Sequence, residues 1–274
     1  METDLISYLL LPQIESSTII LSILSGIIVG FILGIIGGGG SILAVPLLIY
    51  VVGIDDPHVA IGTSALAVGA NAAVNLIFHK KRGNLKPKTG LYFAIPGILG
   101  AIIGSQLGLI TPGDSLLVLF GGLMIVIAYK MISRKNKNIH ENVSATGSTV
   151  VLQKKKLWLN GILVGLASGF FGIGGGFLIM PSLMFTSGLS VTEAIATSLI
   201  PVSAFGFTTA TMYGIENNIN WFISLFFVIG GIAGGFIGTK VMNKIPKKTL
   251  MKIFAVVLII VAFYIIVSTV LGWG

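Results

Sequence analysis

The sequence predicts an all-α, polytopic membrane protein made of two repeats of opposite topology. Three observations lead to this prediction: the composition, a duplicated glycine-rich string and the positions of the charges. Of the 274 residues, 54% are hydrophobic and only 9% are charged, and the mean hydropathy is +1.01. Soluble domains carry roughly 25% charged residues, so this composition excludes an ordinary globular protein.

A glycine-rich string occurs twice and divides the chain into two halves. Residues 34–46 read GIIGGGGSILAVP, and residues 169–181 read GFFGIGGGFLIMP, 135 positions later. An ungapped alignment of residues 26–50 with residues 161–185 gives 11 identities in 25 positions, including both prolines. When a gap of one residue is allowed, the alignment continues, and GTS in the first half aligns with ATS in the second. We therefore predict two homologous repeats.

The charged residues predict the topology. All 17 Lys and Arg residues lie in three stretches beside apolar segments, at 80–88, 130–156 and 240–252. Short basic loops of this kind mark the cytoplasmic face, so the net charge of +8 indicates membrane orientation rather than nucleic-acid binding. The basic loop 80–88 corresponds to residues 214–220, which carry Glu216 and no Lys or Arg. Equivalent loops on opposite sides predict inverted repeats in the plasma membrane, with both termini outside the cytoplasm.

The order of apolar and polar stretches predicts four divisions of the chain. These are an extracytoplasmic N-terminal segment (1–16), a first transmembrane repeat (17–132), a cytoplasmic linker (133–156) and a second transmembrane repeat (157–274). In the first repeat, segments long or apolar enough for membrane helices lie at 18–36, 42–54, 57–79, 89–110 and 115–132. Pro57 is well placed at a helix start.

The number of full spans stays open at this point. Five spans per repeat give inversion, and so do three spans with a re-entrant hairpin that has the glycines at its tip. The short second arms, at 42–54 and 177–187, favour hairpins or half-helices. We therefore expect about eight to ten membrane segments, with a Gly-rich broken helix or re-entrant hairpin in each repeat.

The two glycine-rich strings are the first candidate binding site. Each glycine costs a helix about 1 kcal/mol relative to alanine, and hydrocarbon cannot satisfy the backbone groups that a break exposes. Two symmetric breaks therefore point to a transporter's binding site, although helix packing alone is an alternative role for the glycines. Unpaired N–H groups and the dipole at each new helix start favour an anion. The candidate residues are Gly37, Gly38, Gly39, Gly40 and Ser41 in the first half and Gly172, Gly174, Gly175 and Gly176 in the second.

Polar residues in the following helices form the second candidate set. Asparagine inside a span is expensive and normally faces the protein interior. Hydroxyl and amide groups there can hydrate an anion without a fixed charge, and interhelical hydrogen bonding is the alternative role. The candidates are Thr63, Ser64, Asn71, Thr197 and Ser198.

The sequence contains no pattern typical of catalysis, a metal site or a cofactor. The chain has no cysteine, and the few ionisable candidates near spans, His58, Glu193 and Lys240, form no catalytic arrangement. We therefore expect no enzyme activity, no cofactor and no metal.

At these residues the chain resembles the sulfite exporter TauE/SafE family of membrane permeases. The resemblance rests on the paired glycine strings and the GTS and ATS triplets, and it extends from about residue 17 to the C-terminus. The strings differ at Gly38, where the second copy has Ile173, and at Ser41, where it has Gly176. The resemblance implies movement of small sulfur-containing anions such as sulfite, sulfonates or sulfoacetate.

Together these inferences predict a secondary transporter that carries such an anion across the plasma membrane by alternating access. The anion is expected at the glycine-rich helix starts near the midplane. An anion channel and an intramembrane enzyme remain the alternatives. The expected partners are the small anion and the lipid bilayer, without nucleic acid. The sequence leaves open a homodimer, the identity of the anion, the direction of transport and any coupling ion.

Overall fold

The chain is mainly helical in the part that the computed structural model describes, which comprises residues 16–80, 83–133, 154–241 and 247–271. No β-strand occurs in these ranges. The predicted N-terminal segment up to residue 15 and most of the predicted linker lie outside the described residues. The elements in chain order are α1 (Ser16–Ile36), a 3-10 helix (Gly37–Leu43), α2 (Ala44–Tyr50), α3 (Pro57–Lys80), α4 (Pro87–Ile110), α5 (Gly113–Ser133), α6 (Lys154–Phe171), α7 (Gly176–Ser187), α8 (Val191–Ile215), α9 (Trp221–Val241) and α10 (Lys247–Leu271).

Local capping and turn residues account for several helix ends. Pro57 begins α3 and Pro87 begins α4, positions at which a missing N–H breaks no helical hydrogen bond. α8 begins with a capping box, in which Ser190 accepts from the Glu193 N–H and Glu193 accepts from the Ser190 N–H. The ends of α3, α4 and α5 lie close to those that the sequence predicts.

Several helices are long and apolar enough to cross a membrane. In the described part of the chain, five segments have this length and composition: Ser16–Tyr50, Pro57–Lys80, Pro87–Ile110, Val191–Ile215 and Trp221–Val241. Shorter apolar stretches are Gly113–Tyr129, Leu178–Ser187 and Ala255–Thr269. The all-helical, multi-pass architecture agrees with the prediction from sequence.

The distribution of side-chain sizes around α4 is the reverse of that in a soluble helix. Leu99 and Ile103 are 61% and 53% exposed, whereas Gly97, Gly100 and Gly104 are buried. A soluble helix turns its large apolar residues toward the core. In a membrane, large apolar side chains face lipid and small residues let helices approach each other. The pattern in α4 is the one expected in a bilayer.

Helices from the N-terminal and C-terminal halves of the chain interleave. α1 packs on α9, and α4 packs on α6, with glycine backbone directly against the neighbouring backbone in both pairs. α3 packs on α8, and α5 packs on α10. In addition, α4 contacts α8 and α9 contacts α3. The core is therefore built largely from contacts between the two halves, and α3 and α8 are the most buried of its membrane-length helices.

Candidate functional site

The two glycine-rich segments meet backbone to backbone. Gly38 of the first lies so close to Gly176 of the second that a side chain on either residue would overlap the backbone of the other. Gly37 lies against α8, and Gly172 lies against α3. Each segment thus packs on the long central helix of the opposite half. The two segments can cross this closely only at glycine, because a Cβ on either residue would hold the segments apart.

The first glycine run redirects the helix without ending its hydrogen bonding. Residues Gly37–Leu43 form a 3-10 helix, and the Ala44 N–H donates to the Ser41 carbonyl, so α2 begins with a bonded amide. The Ser41 hydroxyl donates to the Gly38 carbonyl at 2.7 Å. The structure therefore differs from the expectation of unpaired N–H groups at the start of α2, and the hydroxyl of the candidate Ser41 is already bonded. The physical reason is that the run stays helical, with only Gly37 at positive φ.

The second glycine run interrupts the helix. Gly172, Gly174 and Gly175 have φ values of +66°, +67° and +63°, which residues other than glycine rarely adopt. α6 ends at Phe171, and α7 begins at Gly176 after the left-handed Gly175. The Leu178 N–H donates to the Gly175 carbonyl at 3.0 Å, so the amides of this helix start without a partner within the helix are those of Gly176 and Phe177. The helix start that the sequence predicts is therefore formed on this side.

Each glycine segment is hydrogen-bonded to one serine on the central helix of the opposite half. Ser198 on α8 accepts from the Gly38 N–H at 3.5 Å and donates to its own helix at 2.8 Å. Ser64 on α3 lies 3.2 Å from the Gly172 carbonyl oxygen and 2.8 Å from a carbonyl of its own helix, so its proton is shared between them. Both serines are buried. The structure thus brings these serines and the glycines together.

Thr63 and Thr197 bind the loops that precede α9 and α4 rather than the glycine segments. The Asn220 N–H donates to Thr63 Oγ1 at 2.9 Å, and the Lys86 N–H donates to Thr197 Oγ1 at 3.1 Å. Both threonines are buried. Their hydroxyls hold the two halves together in this conformation, which is the alternative role that the sequence leaves open.

The asparagines of α3 face α9. Asn71 lies two helical turns beyond Ser64, and its buried amide lies on Gly231. Asn75 donates from Nδ2 to the Asn71 carbonyl at 2.9 Å, and its Oδ1 lies 3.4 Å from Thr239 Oγ1. Neither amide atom of Asn71 has a hydrogen-bond partner among the described residues. Asn71 is therefore separate from the glycine segments and leaves its hydrogen-bonding capacity unused.

His79 and Thr239 extend the same buried face, beyond the residues that the sequence predicts for the site. His79 Nε2 lies 3.3 Å from the Gly34 carbonyl oxygen, and the side chain is buried. The sequence signal for His79 is its spacing, because it follows Asn71 and Asn75 at intervals of four residues on one helix face. Thr239 has no comparable signal, since its partner is distant in sequence.

The ionisable residues considered for an enzyme form no buried cluster. Glu193 pairs with Lys86 at 3.2 Å, and both side chains are partly exposed. Lys240 is exposed, and His58 Nε2 lies 3.1 Å from the Thr111 carbonyl oxygen. Within the described ranges, the buried polar side chains are those of Ser, Thr, Asn and His, and no group of His, Asp and Glu could hold a metal ion. Tyr213 is also fully buried, so in the described ranges the interior offers neutral hydrogen-bonding groups, and its buried titratable side chains are those of His79 and Tyr213.

Buried glycine crossings, apolar helices of membrane-spanning length and this polar interior define a multi-pass helical membrane protein. The sequence model of the sulfite exporter TauE/SafE family matches residues 22–265. The chain therefore belongs to this family of membrane transporters.

Relatives share most of the length of the chain. A probable membrane transporter protein of Xylella fastidiosa (strain 9a5c) is 44% identical over 251 residues, which cover 91% of this chain and 95% of the relative. Probable membrane transporter protein MJ0441 of Methanocaldococcus jannaschii is 31% identical over 244 residues, covering 82% and 88%. Probable membrane transporter protein YunE of Bacillus subtilis is 29% identical over 267 residues, covering 91% and 97%. No solved structure matches the chain significantly.

Proposed function

We propose that the protein is a secondary transporter that moves small sulfur-containing anions, such as sulfite, sulfonates or sulfoacetate, across the plasma membrane by alternating access. The observation that carries the proposal is the buried meeting of two glycine segments, one from each half of the chain. The choice of a sulfur oxyanion follows from the family. Neutral hydrogen-bonding groups suit an ion that must both bind and leave.

Repeated helix contacts support the proposal that the halves are inverted repeats. Between α4 and α6, Gly100 contacts the Ile162 carbonyl, and between α9 and α1, Gly234 contacts the Ile27 carbonyl. The glycines are 134 positions apart and the isoleucines 135, the same offsets as in the alignment of the two halves. Equivalent helices thus make equivalent contacts with the opposite half.

Two hydrogen bonds to loops repeat in the same way. Lys86 donates to Thr197, and Asn220, 134 positions after Lys86, donates to Thr63. The loop before α4 is basic, whereas the loop before α9 carries Glu216 and no Lys or Arg. The charge difference supports opposite membrane sides for these equivalent loops.

In the proposed mechanism, the glycine segments hold the anion near the midplane, where the start of α7 presents amides without intrahelical partners. Gly38 and Gly176 touch in this conformation, so the anion enters when the segments separate. Alternating access then opens this point to one side at a time. An anion leaving a cell with a negative interior gains about 2.3 kcal/mol per charge per 100 mV, so export requires no coupling ion.

The proposal is tested by efflux from proteoliposomes that contain the purified protein. The vesicles are loaded with sulfite, sulfate, thiosulfate, sulfoacetate, taurine, acetate or chloride, and efflux is followed at a fixed membrane potential. We expect saturable efflux of at least one sulfur oxyanion, with counterflow when the unlabelled anion is present outside. Non-saturating flux without counterflow would instead identify a channel, and chemical conversion of the anion an intramembrane enzyme. Efflux no faster than from protein-free vesicles for every sulfur oxyanion would overturn the proposal.

Single cysteines test the inverted topology, because the chain has no cysteine of its own. Lys88, beside the loop before α4, and Glu216, in the loop before α9, are both exposed. With a membrane-impermeant maleimide on intact cells, we expect Glu216→Cys to react and Lys88→Cys to react only after the cells are opened. Asp114→Cys, in the exposed first turn of α5, should react like Glu216→Cys. Reaction of Lys88→Cys and Glu216→Cys from the same side would reject the inverted arrangement.

A further inference from the structure

The two halves differ in chemistry at a pair of equivalent positions in the middle of the central helices. Asn71 is the fifteenth residue of α3, and Phe205 is the fifteenth residue of α8. Asn71 lies on Gly231 of α9, and Phe205 lies on Gly97 of α4 in the same way. The packing arrangement therefore accepts a phenyl group at this position. It does not by itself require the amide in the first half.

The amide of Asn71 is buried and unpaired. Its exposure is 0%, and neither Oδ1 nor Nδ2 has a hydrogen-bond partner within the described structure. Asn75 does not satisfy it, because Asn75 bonds to the backbone carbonyl of Asn71 and to α9. Ser25 on α1 also has a buried, unpaired hydroxyl, and it precedes Gly26, which lies against the Gly231 backbone. The second half also has buried hydroxyls without a partner in the described structure, those of Ser168, Ser187, Thr209 and Tyr213, but Asn71 is the one described residue with both a donor and an acceptor atom unpaired, and such a group calls for a physical explanation.

We infer that the path of the anion includes a second binding point besides the glycine segments, in the seam where α1 and α3 of the first half meet α9 of the second, and that the amide of Asn71 binds the anion there as a monoanion. This inference rests on the proposed transport function and specifies the residue and the charge of the substrate that it recognises. Nδ2 donates to an oxygen of the anion. Because the amide lies directly on Gly231, the anion enters when α3 moves away from α9, a movement that alternating access supplies.

The seam has no cationic side chain to balance a second negative charge. Among the side chains that the structure describes, no Lys or Arg is buried. His79, the ionisable residue on the same face of α3, lies eight residues from Asn71, about 12 Å along the helix. The Born cost of removing an ion from water rises with the square of its charge. Neutral donors at this site therefore favour a singly charged anion over a doubly charged one.

The test compares Asn71→Leu with Phe205→Leu, its matched control in the other half. The probes are methanesulfonate and sulfate, two tetrahedral sulfur anions that carry one and two charges and do not titrate near neutral pH. Binding to the purified full chain is measured by calorimetric titration, and the ligand-free melting temperature of each variant is recorded. The wild-type protein should bind methanesulfonate more tightly than sulfate.

The two variants should have opposite effects on binding and stability. Asn71→Leu should weaken methanesulfonate binding roughly 10- to 100-fold, as for loss of a hydrogen bond to a charged group. Its ligand-free melting temperature should be unchanged or higher, because an unpaired buried amide has been removed. Phe205→Leu should lower the ligand-free melting temperature and leave the methanesulfonate Kd within about threefold of wild type. Asn71→Ala takes the place of Asn71→Leu if the leucine variant does not fold.

The outcomes separate this inference from the proposed function. Unchanged methanesulfonate binding by Asn71→Leu, equal weakening by Phe205→Leu, or sulfate binding as tight as methanesulfonate binding each overturns the monoanion site at Asn71. Wild-type protein that exports a sulfur oxyanion but does not bind methanesulfonate also overturns the inference alone. Wild-type protein that neither binds nor exports any sulfur oxyanion overturns the proposed function and also the inference about Asn71.

Discussion

The contact between Gly38 and Gly176 predicts that the centre of the protein has no room for even one methyl group. In Gly38→Ala, the added carbon would overlap the backbone of Gly176 and lie 2.6 Å from Cγ2 of Val202. Carbon atoms in ordinary contact are about 3.5–4.0 Å apart, so the two segments must separate by about 1 Å. Overpacking of this kind costs about 1–3 kcal/mol. At roughly 2–4 °C per kcal/mol for a chain of this size, the melting temperature should fall by several degrees.

The control is Gly122→Ala in α5, a helical glycine whose added methyl group would meet no atom within 4 Å. Alanine there improves helix propensity by about 0.5–1 kcal/mol without a clash, so the melting temperature should rise or stay the same. The variants are compared by differential scanning fluorimetry in one detergent and at one scan rate, since unfolding is often irreversible. A double Gly38→Ala/Gly176→Ala variant should lose less than the sum of its single changes, because one separation accommodates both methyl groups. Equal shifts for Gly38→Ala and Gly122→Ala, or full additivity in the double variant, would refute the contact.

Three further predictions concern hydrogen bonds and charges. Thr197→Val removes the acceptor of the Lys86 N–H and should cost about 1 kcal/mol, whereas Thr209→Val removes a buried hydroxyl that has no partner in the described structure and should cost nothing. Equal losses of melting temperature in these two variants would contradict the hydrogen bond. Ser190→Ala removes the cap of α8 and should cost about 1 kcal/mol, with little dependence on salt. Lys86→Ala breaks a partly exposed ion pair with Glu193. The variant should lose less than about 1 kcal/mol of stability at low salt and nothing measurable near 1 M salt. A loss of stability that persists across a NaCl series would exclude an electrostatic role.

The helical framework could be predicted from sequence because its signals are local. Pro57 and Pro87 mark helix starts through the missing N–H of each residue, and Pro112 lies in the short turn that separates α4 from α5. The glycines of α4 are recognisable as packing residues because large apolar residues stand between them. Such features depend on the neighbours of a residue in the chain, so no knowledge of the tertiary structure is needed to interpret them.

The two glycine runs show where local signals are insufficient. Their compositions are nearly the same, yet Gly37–Leu43 keeps helical hydrogen bonds, whereas residues 172–175 contain three left-handed glycines. Gly38 and Gly40 have negative φ and instead permit close contact with Gly176 and with the end of α1. A glycine in a sequence indicates either an unusual φ or a close neighbour. Only the position of the neighbour decides which of these applies.

The roles of the buried polar residues could not be assigned for the same reason. Thr63 accepts its hydrogen bond from Asn220, 157 residues away, and Asn71 lies on Gly231. The sequence identifies these residues as polar groups inside apolar helices, but the partner of each comes from the other half of the chain. Whether a hydroxyl holds a loop or remains available for a ligand depends on that partner.

Comparison of equivalent positions separates the demands of packing from those of binding. Thr63 and Thr197 have the same side chain and each accepts a hydrogen bond from a loop N–H, as expected where both halves need the same contact. Asn71 and Phe205 make the same contact with glycine but have different chemistry, so packing does not explain the difference. In the proposed transporter, similar halves give two end states of similar energy, whereas an anion-binding amide at this position is needed in the first half and not in the second. The pair Asn71 and Phe205 is where these two requirements diverge, which is why a substitution there should change binding and stability separately.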